Sequence, residues 1–155
     1  MKKWILLLTA MALVSCVKIK DKQEGIVYKG DYSQEDMSFF KGFFNEITEA
    51  ARNKDTKKSF SFYSKSFMKE QGVMIFTIKK NIDYLYENYD DINYKMNNIN
   101  LMIDKDKALS TDDFEYTARP VKEGMPELEY QGKERIYWKK EGNQWKIVQW
   151  VTDLE

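Results

Sequence analysis

The apolar side chains of this sequence change their period part-way along the chain. Met37, Phe40, Phe43, Phe44, Ile47 and Ala51 recur at three- and four-residue steps, and Ile75, Ile78, Ile82, Leu85 and Tyr89 do the same. Such spacing gives each segment one apolar face as a helix. From Ile92 onward the period moves toward two. It is clearest where Ile136 and Trp138 alternate with Arg135, Tyr137 and Lys139 ahead of the turn Glu141-Gly142-Asn143-Gln144, a hairpin pattern. Helices that lead and a meander of strands that follows predict an α+β domain, with a curved antiparallel sheet packing its concave face on the helices.

Local signals set the expected bounds. Ser33 ahead of Glu35 and Asp36 reads as a helix cap with acidic residues at the positive end of the dipole, opening a helix over 34–54 that Lys54 to Lys58 closes. Phe60, Tyr63, Phe67 and Met68 recur at helical spacing in a short segment stopped by Gly72, too short to stand unless packed on something larger. A second long helix is expected over 73–89, with Asp90-Asp91 beginning an exit loop. Tyr94, Met96, Asn98 and Asn100 alternate weakly, Leu101-Met102-Ile103 runs into the turn Asp104-Lys105-Asp106-Lys107, and a return strand falls near 108–118. Pro120, Gly124 and Pro126 mark a loop, and strands over 130–140 and 145–152 close the chain, with Trp145 expected in the core. Residues 33–155 are thus read as one domain and residues 17–32 as a tether.

The first residues carry an address. Lys2 and Lys3 precede the apolar run Trp4 to Leu13, broken only by Thr9, which is signal-peptide grammar. The run is about half of the roughly 20 residues that a membrane-spanning helix needs, so removal of residues 1–15 is expected. Leu13-Val14-Ser15-Cys16 resembles the bacterial lipobox. That resemblance implies cleavage before Cys16, lipid on its thiol, and durable anchoring, since two or more acyl chains hold where one is marginal. The other reading is an ordinary cleaved signal that leaves a free thiol. Val17 in place of Asp after the cysteine favours the outer membrane, facing the periplasm, in a cell with two membranes, and otherwise the outer face of the cell membrane. Lys18, Lys20 and Lys22 read as a solvated tether.

Charge and residue inventory remove several function classes. Lysine plus arginine equal aspartate plus glutamate at 25 each, and loss of the leader leaves two more acids than bases; a nucleic-acid partner is therefore not expected. The chain has no histidine and one cysteine, which takes away Ser-His-Asp and Cys-His machinery and the commonest zinc ligand. No cofactor, metal or disulfide is expected. Aromatic residues at 15% supply the buried area that a domain of this size needs to fold without such staples.

Three stretches resemble the nuclear transport factor 2-like (SnoaL-like, cystatin-like cone) superfamily. The first long helix followed by Phe60-Ser61-Phe62-Tyr63-Ser64-Lys65-Ser66-Phe67 is similar to the segment that caps the open end of the cone, and the third helix with the 99–108 hairpin matches in position. Arg135 to Val148, with Lys140-Glu141-Gly142-Asn143-Gln144-Trp145-Lys146-Ile147, resembles the closing hairpin. The resemblance spans about residues 34–152 and implies a cone whose interior hosts enzymes in some members and inert binding or assembly domains in others. The His-Asp pairs of several of its enzymes have no counterpart here. Dimerisation through the outer sheet face, near Tyr137 or Gln149, is also implied.

Motif by motif, little chemistry survives. Ser66-Phe67-Met68-Lys69 matches Ser-x-x-Lys without its partner motifs, and Asp104-Lys105-Asp106 lacks the glycine of a calcium loop. Asp90-Asp91 and Asp112-Asp113 read as solvated charge. The aromatic set remains. With the cone open, Tyr63, Phe67, Tyr116, Trp138 and Trp150, with Arg135 as an anion or stacking partner, are the candidate wall residues. The expected function is a tethered, non-catalytic domain that binds a small ligand, a cell-wall component such as peptidoglycan, or an envelope protein. The rival is a cofactor-independent isomerase or hydrolase using a carboxylate and tyrosines in the cone. A carboxylate in an enclosed cavity would separate them.

Overall fold

The computed structural model describes residues 19–20, 25–64 and 73–155. Strand β1 (Ile19–Lys20) and strand β2 (Val27–Gly30) precede helix α1 (Gln34–Arg52), the short helix α2 (Thr56–Ser61) and helix α3 (Val73–Asn88). Four long strands follow: β3 (Tyr89–Asp104), β4 (Lys107–Pro120), β5 (Leu128–Glu141) and β6 (Gln144–Leu154). They lie in chain order in one sheet, antiparallel except where β2 runs parallel to β3.

Helix α1 starts where the sequence signals it. The Ser33 hydroxyl accepts from the Asp36 amide at 3.1 Å, and the Asp36 carboxylate accepts from the Ser33 amide at 3.0 Å, a closed capping box. Its apolar face buries Phe40, Phe43, Phe44, Ile47 and Ala50. Phe43 and Phe40 meet the Trp138 indole edge-on, with centroids 4.5 and 5.2 Å away, a geometry that aromatic quadrupoles favour. Trp145, 2% exposed, packs on Phe40 and donates to Asp36, as expected for a core residue. Lys54 takes a left-handed backbone (φ 54°) and turns the chain into α2, which Asp55 caps by accepting from the Lys58 amide at 2.8 Å.

Two expectations change. The segment read as a tether contains β2, and Ile26 and Tyr28 are each 1% exposed in the main core, so the folded unit reaches back at least to Ile26. No exit loop separates α3 from the sheet either. Tyr89 opens β3 directly after Asn88, and the left-handed backbone of Asp91 (φ 50°) coincides with a register shift against β4. A second shift sits at Asn98 (φ 53°); bulges of this kind bend a strand and raise its twist.

Period two then decides which residues face the helices. Ala108, Ser110, Asp112 and Phe114 on β4, and Glu134, Ile136 and Trp138 on β5, are all buried. Gly132 lets β6 come close: a Cβ there would lie 2.1 Å from the Asp153 carbonyl oxygen. No helix among the described residues is long and apolar enough to cross a membrane.

Candidate functional site

A cavity of about 210 Å³ opens between the concave face and the helices, lined by Ile47 and Ala51 of α1, Ser59 of α2, Ile82, Leu85 and Tyr86 of α3, and Tyr63, Tyr94, Tyr116, Glu134 and Trp150. Each sheet residue arrives by alternation: Tyr94 stands opposite Tyr116, and Glu134 precedes Ile136, which stands opposite Trp150. Tyr63 is held differently. After α2 the chain forms a parallel bridge to β6, the Ser64 amide donating to the Ile147 carbonyl and the Ile147 amide to the Phe62 carbonyl, each at 2.9 Å. This places the Tyr63 ring over Trp150, centroids 6.3 Å apart.

The polar centre of the cavity is Glu134, 4% exposed. The Tyr94 hydroxyl donates to its Oε2. Burial pushes the Glu134 carboxyl up to about 7, against the opposing pull of Tyr94 and of the Trp150 indole N–H. That N–H is turned toward Glu134 closely enough to favour its ionised form, yet closes no hydrogen bond of normal geometry. Burial also raises the phenols: Tyr94 and Tyr63 rise well above their ordinary value, with Glu134 adding to both, and Tyr116 is pushed up to about 12 with neighbouring tyrosines contributing.

Directly across from Glu134 on β4, on the same sheet face, stands Asp112, 4% exposed with neither carboxylate oxygen hydrogen-bonded among the described residues. Cross-strand neighbours have Cβ atoms about 5 Å apart. Burial first, then the adjacent Glu134, then Asp113 raise the Asp112 carboxyl to about 8. Two acids without a counter-charge are tolerated here by holding protons near neutrality. Chemically the site offers a protonatable carboxyl, a phenol aimed at it and an aromatic wall.

The sequence candidates divide. Tyr63, Tyr116 and Trp150 line the cavity. Trp138 does not; it is 1% exposed under Phe40 and Phe43, its indole donating to the Ser110 hydroxyl at 3.0 Å, because the helix α1 aromatics fill that end of the cone. Arg135 lies on the opposite sheet face from Glu134, exposed, paired with Asp153 at 2.9 Å. Phe67 and Cys16, like the Ser66–Lys69 motif, lie outside the described residues. Asp112, read as solvated, is buried. Glu134, Tyr94 and Tyr86 were missed, although the step of two back from Trp138 through Ile136 points to Glu134, and that from Ser110 to Phe114 passes through Asp112.

Among solved structures the fold has clear counterparts. The Bd1075 protein of Bdellovibrio bacteriovorus superposes with a TM-score of 0.65 at 17% identity, over 82% of this chain and 46% of that one, so this chain spans about half its length. A scytalone dehydratase candidate from Novosphingobium aromaticivorans gives 0.63 at 11% identity, over 77% and 84% of the two chains. A candidate dehydratase of the NTF2-like family from Streptomyces avermitilis gives 0.60 at 12%, over 77% and 97%. No family model matches the sequence, and no curated protein matches it. At such identities the likeness establishes the α+β cone fold alone.

Proposed function

We propose, from the NTF2-like cone fold of this chain, that it is a membrane-tethered domain that holds a small, mostly apolar molecule in the cone, with Glu134 and Tyr94 at its polar end. The observation that carries the reading is the 210 Å³ aromatic cavity with the buried carboxyl of Glu134 among its described lining residues. Binding sites of this kind combine an apolar wall with few polar groups that orient the ligand. The leader and Cys16 support the tether, with lipid on the cysteine and the domain outside the cell membrane or, in a cell with two membranes, in the periplasm.

The test is native mass spectrometry of the protein purified from its own host, beside an Ala51→Leu variant that fills the cavity from α1. A small molecule retained by the wild type and lost from the variant is expected. Equal spectra from both would reject the cone as the site.

A second reading is acid–base catalysis, and the observation favouring it is a carboxyl held near 7 beside a donating phenol. A general acid or base works best with a pKa near the operating pH. On that reading Glu134→Gln keeps the retained molecule and abolishes its turnover; on the binding reading no turnover occurs in either protein.

A further inference from the structure

We infer that the ligand of this cone is a small organic cation, an alkylammonium whose hydrocarbon part fills the aromatic cavity while its charge meets Glu134. The inference rests on the cone being a binding site and names the chemical class it takes. Five aromatic side chains, Tyr63, Tyr86, Tyr94, Tyr116 and Trp150, line the cavity, and none of its described lining residues is basic. Aromatic faces carry the negative end of the ring quadrupole, and a cage of them attracts ammonium groups, more strongly once water is excluded.

The charge around the cage has the same sign. Glu134 is the acid among the described wall residues, and its cross-strand partner on β4 is another acid, Asp112, whose oxygens have no hydrogen-bond partner among the described residues. The groups that face Glu134 are Tyr94 from β3, Asp112 and Tyr116 from β4, Trp150 and Thr152 from β6, Tyr63 after α2 and Tyr86 from α3. All are acidic or neutral. An anionic ligand would meet two acids and no positive group among the described residues that line the cavity, whereas a cation lets Glu134 ionise against a counter-charge.

Burial keeps both carboxyls substantially protonated near neutrality. A bound ammonium therefore returns Glu134 to its ionised form, and the protein releases a proton as it binds. A purely apolar ligand would leave the protonation state alone.

The experiment is isothermal titration calorimetry on the protein as its host matures it, with three probes of one shape: cyclohexylmethylammonium, cyclohexylmethanol and cyclohexanecarboxylate. At pH 7, where the Glu134 carboxyl still holds a proton to release, the ammonium is expected to bind at least about tenfold tighter than the alcohol and the carboxylate not at all. The binding heat should vary with the ionisation enthalpy of the buffer in the sense of proton release. Glu134→Gln, which keeps an acceptor for Tyr94, should remove the preference and the proton release together. An alcohol that binds as tightly as the ammonium, or a preference that survives in Glu134→Gln, overturns the cation and leaves the cavity as a neutral-ligand site. Binding of none of the three overturns the cavity reading as well. The buffer dependence is measured on the wild type, so the proposal stays falsifiable if the variant misfolds.

Discussion

The Trp145 indole N–H donates to Asp36 Oδ1 at 2.9 Å across 109 residues of sequence, and Lys140 Nζ reaches the same oxygen at 2.9 Å. One carboxylate thus caps helix α1 through Ser33 and fastens it to both strands of the closing hairpin. Burial alone would raise the Asp36 carboxyl; the hydrogen bonds from Ser33, Lys140 and Trp145 outweigh it and hold the group well below the carboxylate range. Trp145→Phe keeps most of the ring and removes the donor, so a loss of about 1–3 kcal/mol is expected, and Trp145→Ala about 3–5 kcal/mol. Urea denaturation would show it; midpoints unchanged for both variants would contradict the assigned contact.

The acid pair of the sheet has the opposite linkage. Glu134 and Asp112 are raised to about 7 and about 8, above their unfolded values, so between about pH 4 and 8 the folded state binds more protons than the unfolded chain. Stability then falls as pH rises through that window. Melting temperature is expected to decline from pH 5 to pH 9, and Asp112→Asn to flatten the decline and raise the value at pH 9. Below about pH 4 the sign reverses, as Asp36 takes up its proton more readily unfolded than folded. A wild-type profile that rises toward pH 9 would refute the protonated pair.

Tyr94→Phe removes the hydroxyl that favours ionised Glu134. The Glu134 carboxyl should titrate higher than in the wild type, because burial is then opposed by Trp150 alone. Carbon-detected NMR of the side-chain carboxyl reads this directly, and a lower or equal midpoint would show that the phenol does not hold the acid.

Membrane attachment is tested at Cys16. Cys16→Ala is expected to leave an uncleaved precursor or release the protein from the membrane fraction, followed by immunoblotting of fractionated cells. A variant that matures and partitions like the wild type would rule out the lipid anchor.

Periodicity made the fold legible. The helix of Phe40, Phe43 and Phe44 and the hairpin of Ile136 and Trp138 both put one face inward, and burial of that face is what selects an α+β cone. The tether escaped because Ile26 and Tyr28 belong to a strand of four residues that pairs with β3 far along the chain, leaving no local period to read. The α3–β3 junction escaped because Asp91 adopts a left-handed backbone that an aspartate tolerates, where the two acids read as a loop. Tyr63, Tyr116 and Trp150 were found as aromatics, but core and wall aromatics look alike in sequence, which is why Trp138 travelled with them. Glu134 and Asp112 were overlooked for their chemistry: a charged side chain on an inward position contradicts the pattern, and such a contradiction is itself the mark of a site.

The backbone stitch between residues 62–64 and Ile147 gives the cavity two unlike sides. At Tyr63 the wall is continuous with the sheet, and moving it means breaking two main-chain hydrogen bonds at the edge of β6. Across from it, α3 meets the cavity through side chains, with Tyr86 bonded to the Ser59 hydroxyl at 2.8 Å and Leu85 packed in the small cluster around Tyr89, Ile92 and Ala118. The α3 flank is therefore the side held by fewer main-chain bonds, and if the cone holds a ligand as proposed, opening there would admit it, with amide hydrogen exchange faster along that helix than at Ser64 or Ile147.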